Sequence, residues 1–212
     1  MKQSKREKLT EFNRRNILDA ARDLFLHNGI EKTSVDKIAQ TADCSKATIY
    51  VYFKSKEDIY YHIVLEYMNL LKAELIQSIE TTSLFEETYL SICNALVRFE
   101  QDYPMYFECI LGNISVDPIK FRELPVLEAI YQEGETINNV IRSFLQEAKE
   151  LGSIDSNIDL ALAEYVLWSS ISGWVALTAN KEAYFSQSLG LSRSDCLTRG
   201  FYMILSMLQP KE

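Results

Sequence analysis

The sequence contains little glycine, proline and cysteine, and each shortage excludes a class of structure. Only 7 Gly and 4 Pro occur among 212 residues, which argues against a β-sandwich, a Rossmann fold or a disordered protein and favours long helices. The 4 Cys lie far apart, with no C-x-x-C and no neighbouring His. A disulfide framework or zinc site is therefore not expected, and we predict no metal and no cofactor.

Targeting and membrane segments also find no support in the sequence. The N-terminal residues MKQSKREKLTEF are charged and lack the apolar region of a signal peptide. We find no run of about 18 apolar residues that would cross a membrane. The remaining composition, 47% hydrophobic and 25% charged, is that of a soluble globular protein. We therefore predict a cytoplasmic protein with no membrane partner.

The negative charge of the chain is distributed unevenly. The net charge is −8 overall, but residues 1–60 carry 12 Lys or Arg against 9 Asp or Glu, a net of +3. The other 10 basic and 21 acidic side chains follow residue 60, a net of −11. Because nucleic acid responds to the local field, the first 60 residues are the candidate partner of phosphates.

Within this basic region, the sequence TSVDKIAQTADCSKATIYVYFKSK at residues 33–56 predicts two short helices joined by a tight turn. Thr33 or Ser34 caps the first helix. Ser45 caps the second helix, in which Ile49 and Phe53 face inward. The side chains expected to face outward are small, hydroxyl-bearing, aromatic or cationic, and suit a DNA major groove and its phosphate walls. They are Lys46, Ala47, Thr48, Tyr50 and Tyr52.

These motifs resemble the DNA-binding domain of the TetR family of transcriptional regulators. The resemblance rests on a helix ending at Asn28-Gly29, then T-S-V-x-x-I-A, then S-K-A-T-I-Y-x-Y-F-x-S-K-E-D-I. It covers about the first 60 residues. The family usually has Gly in the turn, where this chain has Asp43. Asp tolerates left-handed backbone angles, so we expect the turn to be preserved.

The resemblance implies a helix-turn-helix domain at 1–56, with residues 1–10 as a disordered arm, and a helical effector-binding and dimerisation domain at 57–212. Carried over by position in the motif, the candidate DNA-binding residues are Thr33, Ser34, Ser45, Lys46, Ala47, Thr48, Tyr50, Tyr52, Lys54 and Lys56.

Helical periodicity continues through the rest of the chain, and the fold class is predicted as all-α with about nine helices. We expect residues 113–125, with Pro118 and Pro125, to form a loop. The other predicted helices are 11–28, 56–79, 84–103, 104–112, 126–151, 158–180 and 194–208.

The helix predicted at 158–180 is apolar around most of its circumference, so it must be covered on two sides. In the TetR family the last two helices pair with their copies in a second subunit, which implies a homodimer. The alternative is that this helix is the centre of a monomeric core. Candidate interface residues are Ser169, Gly173, Leu177, Phe201, Ile204, Leu205 and Leu208.

Aromatic residues are frequent between Tyr89 and Trp174. Most are expected in the core, but some could line the cavity where this family binds an inducer. Candidate effector-binding residues are Phe99, Tyr103, Tyr106, Phe107, Tyr131, Asn138, Tyr165 and Trp168.

The function predicted is that of a sequence-specific DNA-binding regulator, a repressor released from a palindromic operator by an unknown small-molecule effector. The alternative is a helix-turn-helix regulator controlled by protein contacts without a small ligand. An enzyme is not expected, because the sequence has no Glu-x-x-His pair, no G-x-S-x-G and no Gly-rich phosphate loop.

Overall fold

The computed structural model describes residues 5–81, 84–112 and 115–210, and within these ranges all regular secondary structure is helical. The prediction of an all-α fold is confirmed, with eleven helices in the described residues where about nine were predicted. They are α1 (Lys5–Asn28), α2 (Val35–Thr41), α3 (Lys46–Tyr52), α4 (Lys56–Glu80), α5 (Phe85–Asp102), α6 (Pro104–Ile110), α7 (Pro118–Glu123), α8 (Pro125–Glu150), α9 (Leu160–Asn180), α10 (Glu182–Leu189) and α11 (Arg193–Ser206).

The first helix begins earlier than predicted. α1 starts at Lys5 instead of residue 11, so the described part of the predicted disordered arm, residues 5–10, is helical. The segment KREKLT is rich in long straight-chain side chains, which are good helix formers, and Glu7 lies in the favourable first turn. Residues 1–4 of the predicted arm lie outside the described residues.

Two short helices, α7 and α10, were missed from the sequence. The predicted loop at 113–125 contains α7, because Pro118 occupies the first helical position and the Asp117 side chain accepts a hydrogen bond from the Ile119 amide at 2.9 Å. α10 ends at Gly190, whose φ of 65° provides a left-handed C-cap. Both helices are too short for a periodic pattern to stand out.

The helices group into two compact units by their packing. Unit 1 comprises residues 5–67 and 115–131, and unit 2 comprises the described residues of 68–112 and 132–210. α4 and α8 each contribute residues to both units. The functional division between residues 56 and 57 stays a prediction.

The core of unit 1 consists of apolar side chains from α1, α2, α3 and α4. Ile49 and Phe53, predicted to face inward, are each 1% exposed. The other large members of this core include Ile17, Leu18, Phe25, Ile38, Ile59 and Ile63.

The core of unit 2 is organised around α9, which packs on α5 and α11. The Tyr89 hydroxyl on α5 donates to the Phe201 carbonyl of α11 at 2.8 Å. The Trp174 indole nitrogen on α9 donates to the Cys196 carbonyl at 3.1 Å. A Cβ at Gly200 would lie 2.1 Å from that nitrogen, so Gly200 is what allows the indole to approach α11.

By length and mean hydropathy, α9 could cross a membrane, although Glu164 and several serines interrupt its apolar sequence. One face of α9 is buried within unit 2, and its buried Glu164 forms an ion pair with Arg142 of α8 at 2.5 Å. The absence of a membrane partner stays a prediction.

Candidate nucleic-acid interface

The α2–turn–α3 segment is built as predicted for a helix-turn-helix. The Ser34 hydroxyl caps α2 by accepting from the Lys37 amide at 3.2 Å, and the Ser45 hydroxyl caps α3 by accepting from the Thr48 amide at 3.0 Å. Asp43 has a φ of 49°, which confirms that an aspartate takes the left-handed position of the turn. The Cys44 amide then donates to the Ala39 carbonyl at 3.0 Å and closes it.

Opposite the buried Ile49, α3 exposes a face that we call the α3 face, formed by Lys46, Ala47, Tyr50 and Val51. Tyr50 is 51% exposed and Val51 77%. Val51 was missed, although it follows Ala47 and Tyr50 at helical spacing. That spacing was the available signal for its exposure. The α3 face thus combines one cation, one phenol and two small apolar groups.

The three candidate cations each have an oxygen partner within the protein. Lys46 Nζ lies 2.9 Å from an Asp36 carboxylate oxygen, and this hydrogen bond raises the pKa of Lys46. Lys54 Nζ donates to the Glu123 carbonyl at the end of α7 at 2.5 Å, and Lys56 Nζ to the Ile30 carbonyl at 2.7 Å. A phosphate would therefore have to replace or share these partners.

Three uncharged residues that were predicted to contact DNA have buried or half-buried side chains. Thr33 is 2% exposed, and its hydroxyl donates to the Gly29 carbonyl at 2.9 Å. It holds the connection between α1 and α2 and does not reach the surface, so its assignment to the interface was wrong. The Tyr52 hydroxyl accepts from Asn13 Nδ2 of α1 at 3.2 Å and is half-buried. Thr48 is also half-buried, with Oγ1 2.8 Å from Ser45 Oγ.

Polar side chains of α1 hold both ends of α3. Asn16 Nδ2 donates to the Ala42 carbonyl in the turn at 2.6 Å. Arg14 Nη2 lies 3.0 Å from His62 Nδ1, and its guanidinium lies over the Phe53 ring at 5.6 Å. Burial, and then the neighbouring Arg14 cation, lower the pKa of His62, while the Asp58 carboxylate opposes them.

The candidate effector residues do not meet around one cavity. Phe99, Tyr106 and Phe107 are buried core residues, and Tyr103 packs on Phe99 with ring centroids 5.3 Å apart. The remaining four are placed differently: Tyr131 belongs to unit 1 and packs on Phe121, Asn138 donates to Glu135, Tyr165 is 50% exposed, and Trp168 is half-buried.

Three of the surface clefts that the described residues of unit 2 form are lined by none of the eight candidate effector residues. A cleft of about 180 Å³ is lined in part by Phe85 and Phe144, whose rings stack with centroids 5.2 Å apart. A second of about 230 Å³ contains Leu162 and Met207, and a third of about 450 Å³ contains Gly173. The two larger clefts lie along α9 and α11.

The candidate dimer residues divide into two sets. Phe201, Leu205 and Leu208 are buried within the chain, so their assignment to the surface of an interface was wrong, because they pack inward from the last helical turns. Ser169, Gly173 and Leu177 are exposed on α9, and Ile204 is half-buried. Beside this second set, α9, α11 and the C-cap residue of α11 expose large apolar side chains, which are Leu162, Val166, Met203 and Met207.

Metal-ligating side chains do not cluster in the part of the chain that the structure describes: no group of three or more His, Cys, Asp or Glu there is placed to hold an ion.

Comparison with known proteins relates this chain to bacterial regulators. The family described as "Bacterial regulatory proteins, tetR family" matches residues 17–63. A fatty acid metabolism regulator protein of Bacillus subtilis (strain 168) is 26% identical over 194 residues, covering 88% of this chain and 94% of its own length. A probable acrEF/envCD operon repressor of Escherichia coli (strain K12) is 24% identical over 179 residues, 81% of this chain and 80% of its own.

A solved structure shares the fold. The transcriptional regulator FadR from Bacillus subtilis in complex with stearoyl-CoA matches with a TM-score of 0.67 at 20% identity, over 92% of this chain and 98% of that chain. The helix-turn-helix motif lies within residues 17–63, and that segment matches the family described as bacterial regulatory proteins of the tetR family.

Proposed function

We propose that this protein is a dimeric transcriptional repressor that binds a palindromic DNA operator and releases it on binding a small-molecule effector. The observation that carries the DNA-binding part is the α3 face: a Ser45-capped helix presents Lys46, Ala47, Tyr50 and Val51 to solvent while Ile49 anchors it from behind. The net charge of +3 over residues 1–60 supports the same assignment.

The α3 face lacks Arg, Asn and Gln, which make the common bidentate contacts to purines. Sequence preference is therefore expected from contact of Val51 and Ala47 with thymine methyl groups and from the shape of the DNA. Ser34, Ser45, Lys46, Tyr50, Lys54 and Lys56 are the proposed contacts to the sugar-phosphate backbone.

Dimerisation is supported by the apolar surface of unit 2. Leu162, Val166 and Leu177 on α9, Met203 on α11 and Met207 at the C-cap of α11 are exposed in the single chain. Covering these side chains with a second copy removes their apolar surface from water. Two copies related by a two-fold axis would then present two α3 faces to a palindrome.

For the effector we propose a long-chain acyl thioester. The support is the relative named as a fatty acid metabolism regulator and the related fold in complex with stearoyl-CoA. A core of Phe99, Tyr106 and Phe107 in unit 2 offers an apolar environment that an acyl chain would enter by displacing side chains.

The alternative, control by protein contacts without a small ligand, is favoured by one observation. The candidate effector side chains are packed in the core or exposed on the surface, and the three clefts described above are lined by other residues. A regulator of this kind would respond to a partner that covers the surface of α9 and α11.

The DNA-binding proposal is tested by selecting duplexes from a random library and measuring Kd as a function of salt. Contacts to about six phosphates predict a loss of roughly 10³-fold between about 50 and 200 mM salt. A binding constant that is flat with salt would contradict the proposed interface.

The effector proposal is tested with the selected duplex and stearoyl-CoA, using coenzyme A and stearate separately as controls. Stearoyl-CoA is expected to weaken DNA binding by about 5- to 150-fold, and DNA should weaken stearoyl-CoA binding by the same factor. No effect of stearoyl-CoA on DNA affinity would favour the alternative.

A further inference from the structure

A polar cluster lies behind the α3 face, where α1, the end of α3 and the start of α4 meet. We call it the His62 cluster; its members are Arg14, Phe53, Asp58 and His62. Arg14 Nη2 lies 3.0 Å from His62 Nδ1, and His62 Nε2 lies 3.7 Å from Asp58 Oδ1. The imidazole meets the Phe53 ring edge-on, with centroids 5.4 Å apart.

The partners of the imidazole determine where its proton lies. A guanidinium can only donate hydrogen bonds, so His62 Nδ1 must be the acceptor and carries no hydrogen. The single hydrogen of the neutral ring is then on Nε2, which faces the Asp58 carboxylate. A second proton would have to bind Nδ1, where it would break the Arg14 hydrogen bond and place two cations about 3.0 Å apart.

The same cluster holds the residues where α3 ends. Asp58 also accepts a hydrogen bond from the Lys54 amide at 2.7 Å, and Arg14 also covers the Phe53 ring. Phe53 is the C-cap of α3. A change in the charge of His62 therefore acts directly on Arg14 and Asp58, the two groups that contact the residues at the C-terminal end of α3.

We propose that His62 is a positioning residue for the α3 face: its neutral form holds the end of α3 through Arg14 and Asp58, and its protonation weakens DNA binding. This inference rests on the proposed DNA-binding function. The charged groups facing His62 are Arg14 from α1 and Asp58 from α4, while the end of α3 contributes the uncharged Phe53.

The sign of the pH dependence follows from the surroundings of His62. Burial and Arg14 lower its pKa in the folded protein below the ordinary value of about 6.5. As the pH falls below that value, the unfolded chain takes up a proton more readily than the folded one, so folding stability declines. DNA binding is then lost as the folded-state imidazole itself becomes protonated.

The chain provides a matched control, because it contains only 2 His. The other, His27, is exposed near the end of α1, with Nδ1 2.7 Å from the Asp23 carbonyl. The probe is a duplex selected at about pH 7.5, and Kd is measured by fluorescence anisotropy from about pH 7.5 to 5.5 at constant ionic strength. We expect binding about tenfold weaker at the acidic end, the effect of one lost hydrogen bond to a charged group.

Three variants distinguish the titration of His62 from its hydrogen bond with Arg14 and from the titration of His27. His27→Gln should keep the full pH dependence. His62→Asn retains an acceptor near the position of Nδ1, loses the Nε2–H that faces Asp58 and does not titrate in this range. It should bind more tightly than His62→Leu at pH 7.5 and lose most of the pH dependence. His62→Leu, which offers Arg14 no acceptor, should bind weakly at both pH values. Thermal melts of each variant would identify any that fails to fold.

Two results are distinguished by this design. If no duplex is selected at pH 7.5, the proposed function itself fails. If a duplex binds but wild type and His62→Asn share the same pH dependence, only the role of His62 is overturned. A measurement without DNA adds an independent check: the NMR resonance of the Lys54 amide, which is bound to Asp58, should shift as the His62 ring titrates. A Lys54 resonance that stays constant through that titration would also overturn the inference.

Discussion

At the scale of single residues, Asp43 adopts the left-handed backbone conformation that the turn of the helix-turn-helix requires. It is the one non-glycine position among the described residues with a positive φ, 49°. Asp is tolerated there because its short polar side chain can hydrogen-bond locally, whereas a branched side chain would be strained.

The effect of an Asp43 substitution on the free energy of unfolding is therefore expected to depend on the shape of the new side chain more than on its charge. Asp43→Val should lower the free energy of unfolding by about 1–2 kcal/mol, the cost of a β-branched residue at this backbone angle. Asp43→Gly should change it little, because the relief of strain offsets the greater entropy of the unfolded chain. Chemical denaturation measures both, and equal losses in the two variants would contradict this explanation.

Val51 is the residue at which a substitution should most clearly change DNA affinity without changing the stability of the fold. Its side chain is 77% exposed, so Val51→Ala should leave thermal stability unchanged. Loss of two methyl groups from a contact with thymine should weaken binding by about 1.5 kcal/mol, roughly tenfold in Kd.

The control for this variant is Val116→Ala, at a valine of similar exposure outside α3. Anisotropy titrations with the selected duplex should show no change for Val116→Ala. If Val51→Ala also binds like the wild type, the α3 face as defined here does not contact the bases.

Prediction from sequence was strongest where a pattern had to satisfy several constraints together. Ser45 as a cap and Ile49 as an anchor followed from their spacing, and the left-handed turn at Asp43 followed from its position in the motif that the chain shares with the family. Thr33 and Val51 were misjudged, because exposure depends on neighbours distant in sequence. The Thr33 hydroxyl meets carbonyls of α1, a contact that no local pattern reveals.

At the scale of helices, long elements were predicted well and short ones poorly. α4 and α8 have more than twenty residues each, so their periodicity is unmistakable. α7 depends instead on Asp117 and Pro118 at its start, and α10 on Gly190 at its end. The candidate effector site could not be predicted because aromatic residues at helical spacing fill a core as readily as they line a cavity.

The pairing of α9 with α11 has a sharp steric requirement at Gly200. A methyl group there would overlap the Trp174 indole, since the Cβ position lies 2.1 Å from Nε1. Gly200→Ala should therefore lower the free energy of unfolding by about 1–3 kcal/mol, the usual cost of overpacking. The near-ultraviolet circular dichroism of the indole should weaken in parallel; an unchanged melt would show that the two helices adapt easily.

At the scale of the whole molecule, Gly173 distinguishes a monomer from a dimer. It lies within α9, and an added Cβ would meet nothing within 4 Å in the single chain. Gly173→Ala should thus stabilise an isolated chain by about 1 kcal/mol through helix propensity. If a second copy approaches α9 closely at this point, the same substitution should instead weaken association.

Sedimentation at several protein concentrations, combined with thermal melts, resolves these outcomes for Gly173→Ala. A raised melting temperature together with a more dissociated protein would support the proposed interface. A raised melting temperature with unchanged assembly would place the interface elsewhere. Leu84→Ala, at an exposed leucine that lines none of the three clefts, serves as a surface control.

Both tryptophans of the chain, Trp168 and Trp174, lie on α9, and unit 1 has none. Tryptophan emission is therefore a label-free signal from one helix of unit 2. Neither indole belongs to the proposed DNA contacts. A change in the emission spectrum on adding the duplex would therefore report that DNA binding alters the surroundings of α9. The two indoles thus provide an intrinsic optical test of the coupling proposed between DNA and effector.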